Sequence, residues 1–161
     1  MLLVGAGLVA LALPIAAAAL TRLPGDGVLR ALRTDDPVTP ADLERLADSR
    51  QAAWRWRTDP RDRAEFALAR LLQAERAAPT HDGADGDKLR AAEAALTIAL
   101  GTAPGDPYGW TRLALVRWRL GRPAPRVEAA LAAARTTGPR VRRLRPLRRA
   151  LAARLTAAPD G

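Results

Sequence analysis

The chain has 161 residues, 48% of them hydrophobic, and its 26 basic against 17 acidic side chains leave a formal net charge of +9. That length is enough for one domain, and with no cysteine and a single histidine, His81, the composition excludes disulfide frameworks, Cys/His zinc sites, thiol nucleophiles and a Ser-His-Asp triad with a histidine to spare. Alanine (37) and leucine (25) dominate the apolar residues, whereas valine and isoleucine together supply nine, so strand material is scarce and an all-α fold is predicted.

Residues 2–20 form a run of 19 without a charge, broken only by Gly5, Gly7 and Pro14. As a helix rising about 1.5 Å per residue the run spans about 28 Å, close to the hydrocarbon thickness of a bilayer. A transmembrane anchor over residues 1–21 that crosses the membrane once is therefore expected. The competing reading is a secretory signal with Ala17-x-Ala19 as its cleavage site, disfavoured because no Lys or Arg precedes the apolar run. Arg22, Arg30 and Arg33 would hold the C-terminal flank inside, while a short uncharged anchor tends to export the domain attached to it, so the side is open.

Residues 22–40 hold three prolines and two glycines and read as a connector. A helical domain is expected over residues 41–158. Pro40 followed by Ala-Asp-Leu-Glu, with Thr39 as N-cap, starts a helix that runs to about Arg57. Within it Trp54 and Trp56 cannot both face inward. A second helix begins near Pro60 behind Asp59 and carries Phe66, Leu68, Leu71 and Leu72 up to Pro79. Further amphipathic helices are predicted over 88–100, 107–120, 124–136 and 141–157, the last interrupted on paper by Pro146. The array thus has about six helices.

Between them, residues 80–87 read as a solvated loop. His81, Asp82, Asp85 and Asp87 put carboxylates beside an imidazole, but their spacing misses the calcium-loop template and the further histidines of a metal phosphohydrolase are absent. Glu44, Glu65, Glu75 and Glu93 are spaced like exposed helix faces. No catalytic, cofactor-binding or metal-binding constellation is predicted, and no cofactor is expected.

Spacing is more telling from residue 92. Ala92, Leu96, Ala99 and Pro104 stand as A-x3-L-x2-A-x4-P, followed by Trp110 and Leu113 as W-x2-L, and Leu131, Ala134 and Pro139 repeat the L-x2-A-x4-P interval after Gly121. Ala67, Leu71, Ala74 and Pro79 fit the same pattern. Over residues 62–139 the chain resembles the tetratricopeptide-repeat superfamily. The stretch GDPYGWTRLALVRWRLG, with LAAARTTGP after it, is similar to small single-pass repeat-like proteins of GC-rich proteobacteria. The resemblance implies a short array of helical hairpins, anchored in a bacterial inner membrane, that mediates protein–protein interaction rather than catalysis, with helices 41–57 and 141–157 as caps.

Charge is distributed unevenly. Residues 1–111 carry 13 basic and 15 acidic side chains, whereas 112–155 carry 13 basic and only Glu128. With 25 arginines to one lysine in an alanine-rich chain, GC-rich coding accounts for much of the arginine, so its abundance alone does not argue for nucleic acid. Arg140, Arg142, Arg143, Arg145, Arg148, Arg149 and Arg154 accompany Leu144, Leu147, Leu151 and Leu155 at 3-4-4 spacing, the pattern of a basic amphipathic helix.

Two functions fit. The first is a membrane-anchored scaffold in an envelope-associated assembly, with Trp110, Arg112, Arg117, Trp118 and Arg119 lining a groove for an acidic peptide or carboxylate of a protein partner. The second is direct binding of an anionic surface or polymer, acidic lipid or nucleic acid, by the C-terminal arginines. Nucleic acid is the less expected ligand, because Trp54, Trp56 and Trp118 stack bases only if exposed.

Overall fold

A computed structural model describes residues 2–76 and 84–157, with side chains from residues 12–76 and 85–157. All regular structure among them is helical. The helices are α1 (Leu2–Thr34), α2 (Pro40–Ala53), α3 (Pro60–Arg76), α4 (Ala84–Thr102), α5 (Pro107–Arg119), α6 (Ala124–Thr137) and α7 (Arg145–Ala157), with a 3₁₀ turn, Arg142–Leu144, leading into α7.

Local chemistry explains most boundaries. Thr39 and Asp42 form a reciprocal capping box at the start of α2, and Pro40 occupies a first-turn position that has no intrahelical N–H partner to lose. Asp106 accepts from the Tyr108 N–H at 2.9 Å and starts α5. That helix ends in a Schellman turn: Gly121 takes φ +62°, its N–H donates to the Trp118 carbonyl, and the Arg122 N–H reaches the Arg117 carbonyl at 2.9 Å. Pro146 does not interrupt the last helix, because α7 starts at Arg145 and the proline falls in its first turn.

The N-terminal region departs from expectation. Among the described residues no helix is long and apolar enough to cross a membrane, which overturns the single-pass anchor and the inner-membrane location expected with it. α1 does not stop where the apolar run ends. It continues through Arg22, Asp26, Arg30 and Arg33, and Ala18, Gly25, Val28 and Leu29 are buried on it. The expected connector is therefore mostly helix. Pro24 and the two glycines signalled a break, but docking on α2 outweighs the hydrogen bond that Pro24 cannot make. Gly25 is where the two helices approach most closely, since a Cβ there would run into the Ser49 hydroxyl and lie 3.1 Å from Leu46 Cδ1.

Each helix packs chiefly on its neighbour in sequence, from α1 on α2 through α5 on α6, and α7 closes the end against α5 and α6. The core that results is built of leucine and alanine: Leu43, Leu46, Leu96, Leu113 and Leu151 are at most 1% exposed. Ala92, Leu96, Ala99, Leu113, Leu131 and Ala134, the alanine and leucine positions of the spacing pattern from residue 92, are buried, whereas Trp110 is half-buried and Pro104 and Pro139 are exposed. α4 begins earlier than expected, so Asp85, Gly86 and Asp87 lie in its first turn, where acidic side chains favour the helix dipole. His81 and Asp82 lie outside the described residues.

Candidate functional site

Ion pairs tie the helices together, and they use acids that the sequence pattern placed in solvent. Arg50 on α2 is 1% exposed; its Nε donates to Glu65 Oε2 on α3 at 2.7 Å, and its two terminal nitrogens reach the Arg22 carbonyl and Asp26 Oδ1 on α1. Arg22 in turn forks onto Asp62 and Asp59. Glu93 on α4 receives Arg117 and Arg122, Glu44 receives Arg70 and Gln73, and Glu75 pairs with Arg119 at 3.2 Å. Glu65 and Glu93 are thus covered helix-to-helix ties, while Glu44 makes its tie from an exposed position, as its spacing implied.

The consequence for the five residues expected to line a groove is that the structure divides them. Arg117 and Arg119 are engaged on Glu93 and Glu75. Trp118 is half-buried, with the Arg154 guanidinium 4.5 Å from its ring centroid. Trp110 packs against the core and donates its indole N–H to the Pro104 carbonyl at 2.7 Å, which pins the loop before α5. Arg112 alone lines a cavity and makes no hydrogen bond or ion pair among the described residues.

That cavity, about 860 Å³, lies between the C-terminal end of α1, the first half of α3, the end of α4 and the start of α5. Its volume is in the range of built ligand sites. Leu29, Leu32, Leu68, Leu96 and Leu100 give it an apolar floor, and Arg33, Arg61, Arg112 and Arg143 bring positive charge from four elements. Three carboxylates face the same space. Glu65 is already held by Arg50 and Arg61, and Asp106 is turned to its capping role. Asp35 stands at the rim in the left-handed region, φ +57°, where the Asp36 N–H closes α1 onto the Ala31 carbonyl at 2.9 Å. Arg33, Arg112 and Arg143 thus have no ion-pair partner among the described residues, and the balance of the site is positive. Burial pushes the Arg112 guanidinium down from its ordinary value, with Asp106, Glu65 and Tyr108 acting the other way; it stays a cation, poorly hydrated and short of partners.

Sequence reasoning missed α1 and α3 as walls of the cavity because residues 22–40 read as a connector. The signal was present in Val28, Leu29 and Leu32, which share one helical face, but Pro24, Gly25 and Gly27 masked it. Of the residues expected to form a basic surface, Arg140, Arg142, Arg143, Arg145 and Arg149 are exposed, but Arg148 is not. It is 5% exposed and donates to Thr111 Oγ1 at 3.1 Å and the Gly138 carbonyl at 2.9 Å, joining α7 to α5 and to the turn after α6. The helical spacing of Leu144, Leu147, Leu151 and Leu155 turns that side of α7 inward, and Arg148 shares it. Trp54 packs edge-on against Phe66 at 5.0 Å, whereas Trp56 is exposed.

Among the described residues no group of three metal-ligating side chains is found. Comparison of the chain with family models, with curated proteins and with solved structures finds no match.

Proposed function

We propose that the protein is a tetratricopeptide-like helical scaffold, not an enzyme, whose groove between α1, α3, α4 and α5 takes an acidic segment of a partner protein. The observation that carries this reading is Arg112, a half-buried guanidinium with no ion-pair partner among the described residues, at the wall of a cavity of about 860 Å³ with an apolar floor. A carboxylate placed there completes the arginine's hydrogen bonds in a low-dielectric setting, where a forked guanidinium–carboxylate pair is strongest. Leucines of the floor receive apolar side chains beside it. The successive pairing of helices and the burial of the A-x3-L-x2-A positions support the repeat-like architecture on which the reading rests.

The test is site-specific photocrosslinking in the native host. Benzoylphenylalanine replaces Tyr108, exposed at the rim, or Ile98, exposed on α4 and not part of the cavity wall. A discrete partner crosslinked from position 108, absent from position 98 and lost on Arg112→Gln, is the expected result. Equal crosslinking from both positions, or yields at 108 unchanged by Arg112→Gln, overturns the reading.

A further inference from the structure

The arginines fall into two populations. Before residue 123, nine of sixteen form ion pairs with carboxylates: Arg22, Arg45, Arg50, Arg61, Arg70, Arg90, Arg117, Arg119 and Arg122. After it, among the described residues, none does. Arg148 is used inside the fold and Arg154 covers Trp118, but Arg140, Arg142, Arg143, Arg145 and Arg149 are exposed and their side chains make no hydrogen bond or ion pair among the described residues. Five like charges within ten residues repel one another and tie nothing together, so the fold has no use for them.

Arg143 links this patch to the groove. It lies in the 3₁₀ turn before α7 and at the same time lines the cavity that Arg112 lines. Arg143 thus belongs both to the cavity lining and to the short segment that carries the exposed Arg142, Arg145 and Arg149. The apolar side of α7 is spent, with Leu144 and Leu151 buried and Leu147 and Leu155 packed on the core, so no hydrophobic wedge is left for insertion into lipid. No exposed tryptophan lies in the patch to stack a base; Trp118 is under Arg154.

Resting on the groove as the binding site, we propose that the partner's acidic segment is extended, anchoring its apolar-acidic end in the Arg112 cavity and running outward over Arg143 to Arg142, Arg145 and Arg149. From residue 143 to 149 a helix rises about 9 Å. A run of about six to eight extended residues covers that distance with room to cross from the cavity. The occupant is a polypeptide with a cluster of Asp and Glu beside a pair of apolar side chains, and the outer arginines contribute affinity that salt screens while the cavity contributes affinity that salt screens less.

Fluorescence anisotropy on the full chain tests this with two labelled peptides. The long probe has a leucine pair followed by a run of about eight Glu and Asp residues, and the short probe keeps the leucine pair and its first two acids. Arg142→Gln, Arg145→Gln and Arg149→Gln combined, in exposed positions that bond to nothing, keep the melting temperature and are expected to weaken the long probe by about tenfold or more, leave the short probe unchanged and flatten the salt dependence of the long one. Arg112→Gln weakens both probes. Long and short probes that bind alike, or a long probe indifferent to the triple variant, overturn the extended path while leaving the groove. Failure of both probes, together with position-108 crosslinking that Arg112→Gln does not change, removes the groove reading itself. Duplex DNA or vesicles rich in phosphatidylglycerol that bind more tightly than the long probe, through the same three arginines, assign the patch to a polyanion other than a polypeptide and overturn the proposal.

Discussion

The Nε of Arg50 on α2 lies 2.7 Å from Oε2 of Glu65 on α3, and no part of the Arg50 side chain beyond 1% reaches solvent. The same guanidinium holds α1 through Asp26 and the Arg22 carbonyl, so one side chain clamps three helices. A buried cation can be nearly neutral for stability while its hydrogen bonds are made, but removing it leaves the Arg22 carbonyl and Glu65 Oε2 without their donor, whereas Asp26 is half exposed and Glu65 keeps Arg61.

Arg50→Met keeps the apolar stem and deletes the charge. It is expected to cost about 1–3 kcal/mol in denaturant unfolding, because the Arg22 carbonyl and Glu65 Oε2 lose a buried donor and α1 loses its tie through Asp26. Glu65→Gln costs less, since Asp26 still meets Arg50. A Met variant that unfolds at the same denaturant midpoint as the natural chain means that α1 is not held this way.

Two aspartates titrate in opposite directions from their ordinary value. Burial raises the Asp62 carboxyl, and the Arg22 guanidinium only partly opposes it. The Thr39 hydroxyl and N–H, with Arg45, lower the Asp42 carboxyl. Asp62, raised on folding, contributes stability that is complete below its unfolded value and is lost as pH rises through the folded one. Asp42, depressed on folding, contributes stability that is present above its unfolded value and is lost as pH falls through the folded one. Carboxyl NMR titration is expected to place Asp42 below and Asp62 above an unperturbed aspartate, and Thr39→Ala to bring Asp42 back up. Coincident midpoints contradict both assignments.

How far the sequence carries the fold depends on where the decisive interaction lies. α3 to α6 were legible because their apolar periodicity, their starts at Pro60 and Pro107 and their stops at Gly121 and Gly138 are local signals. The course of α1 was not, since its second half is held by Gly25 against Ser49 and by Arg22 and Asp26 against charged groups up to 40 residues away. Arg112 could be singled out from the helix it sits on; Arg33, Leu29 and Leu68, which complete its cavity, could not be placed beside it without the packing of α1 on its neighbours. The pairing of Arg117 with Glu93 and of Arg119 with Glu75 is likewise tertiary.

Gly25→Val puts a branched side chain into the α1–α2 crossing, where Ser49, Leu46 and Arg50 leave no room. The expected cost is about 1–3 kcal/mol, the range for overpacking a tight interface. Gly27, with nothing within 4 Å of a Cβ, is the control. Gly27→Ala is expected to be neutral or slightly stabilising through helix propensity. Thermal melts of the two variants that do not differ rule out a close approach at Gly25.

Asp35 holds a left-handed conformation, φ +57°, that glycine adopts without cost. Asp35→Gly is expected to raise stability by about 0.5–1 kcal/mol if conformation alone decides. It also removes the carboxylate at the cavity rim that has no ion-pair partner, so binding of the acidic probes strengthens in the same variant. A variant that is more stable but binds no better separates the helix stop from the site.

Arg148 and Arg149 are neighbours in sequence with opposite roles. Arg149 is exposed and bonds to nothing, so Arg149→Met changes stability by less than about 0.5 kcal/mol. Arg148→Met strands the Gly138 carbonyl and removes the link to Thr111, whose hydroxyl also donates to the Pro107 carbonyl at 2.8 Å. That loss is expected to cost about 1–3 kcal/mol, the penalty for a buried polar group left without its partner. Probe binding reverses the order: the Arg149 variant weakens the long acidic peptide, while the Arg148 variant, at temperatures where it remains folded, binds it as the natural chain does. Equal effects of the two substitutions on both stability and binding would mean that α7 presents a different face to α5 than the Arg148–Thr111 hydrogen bond requires.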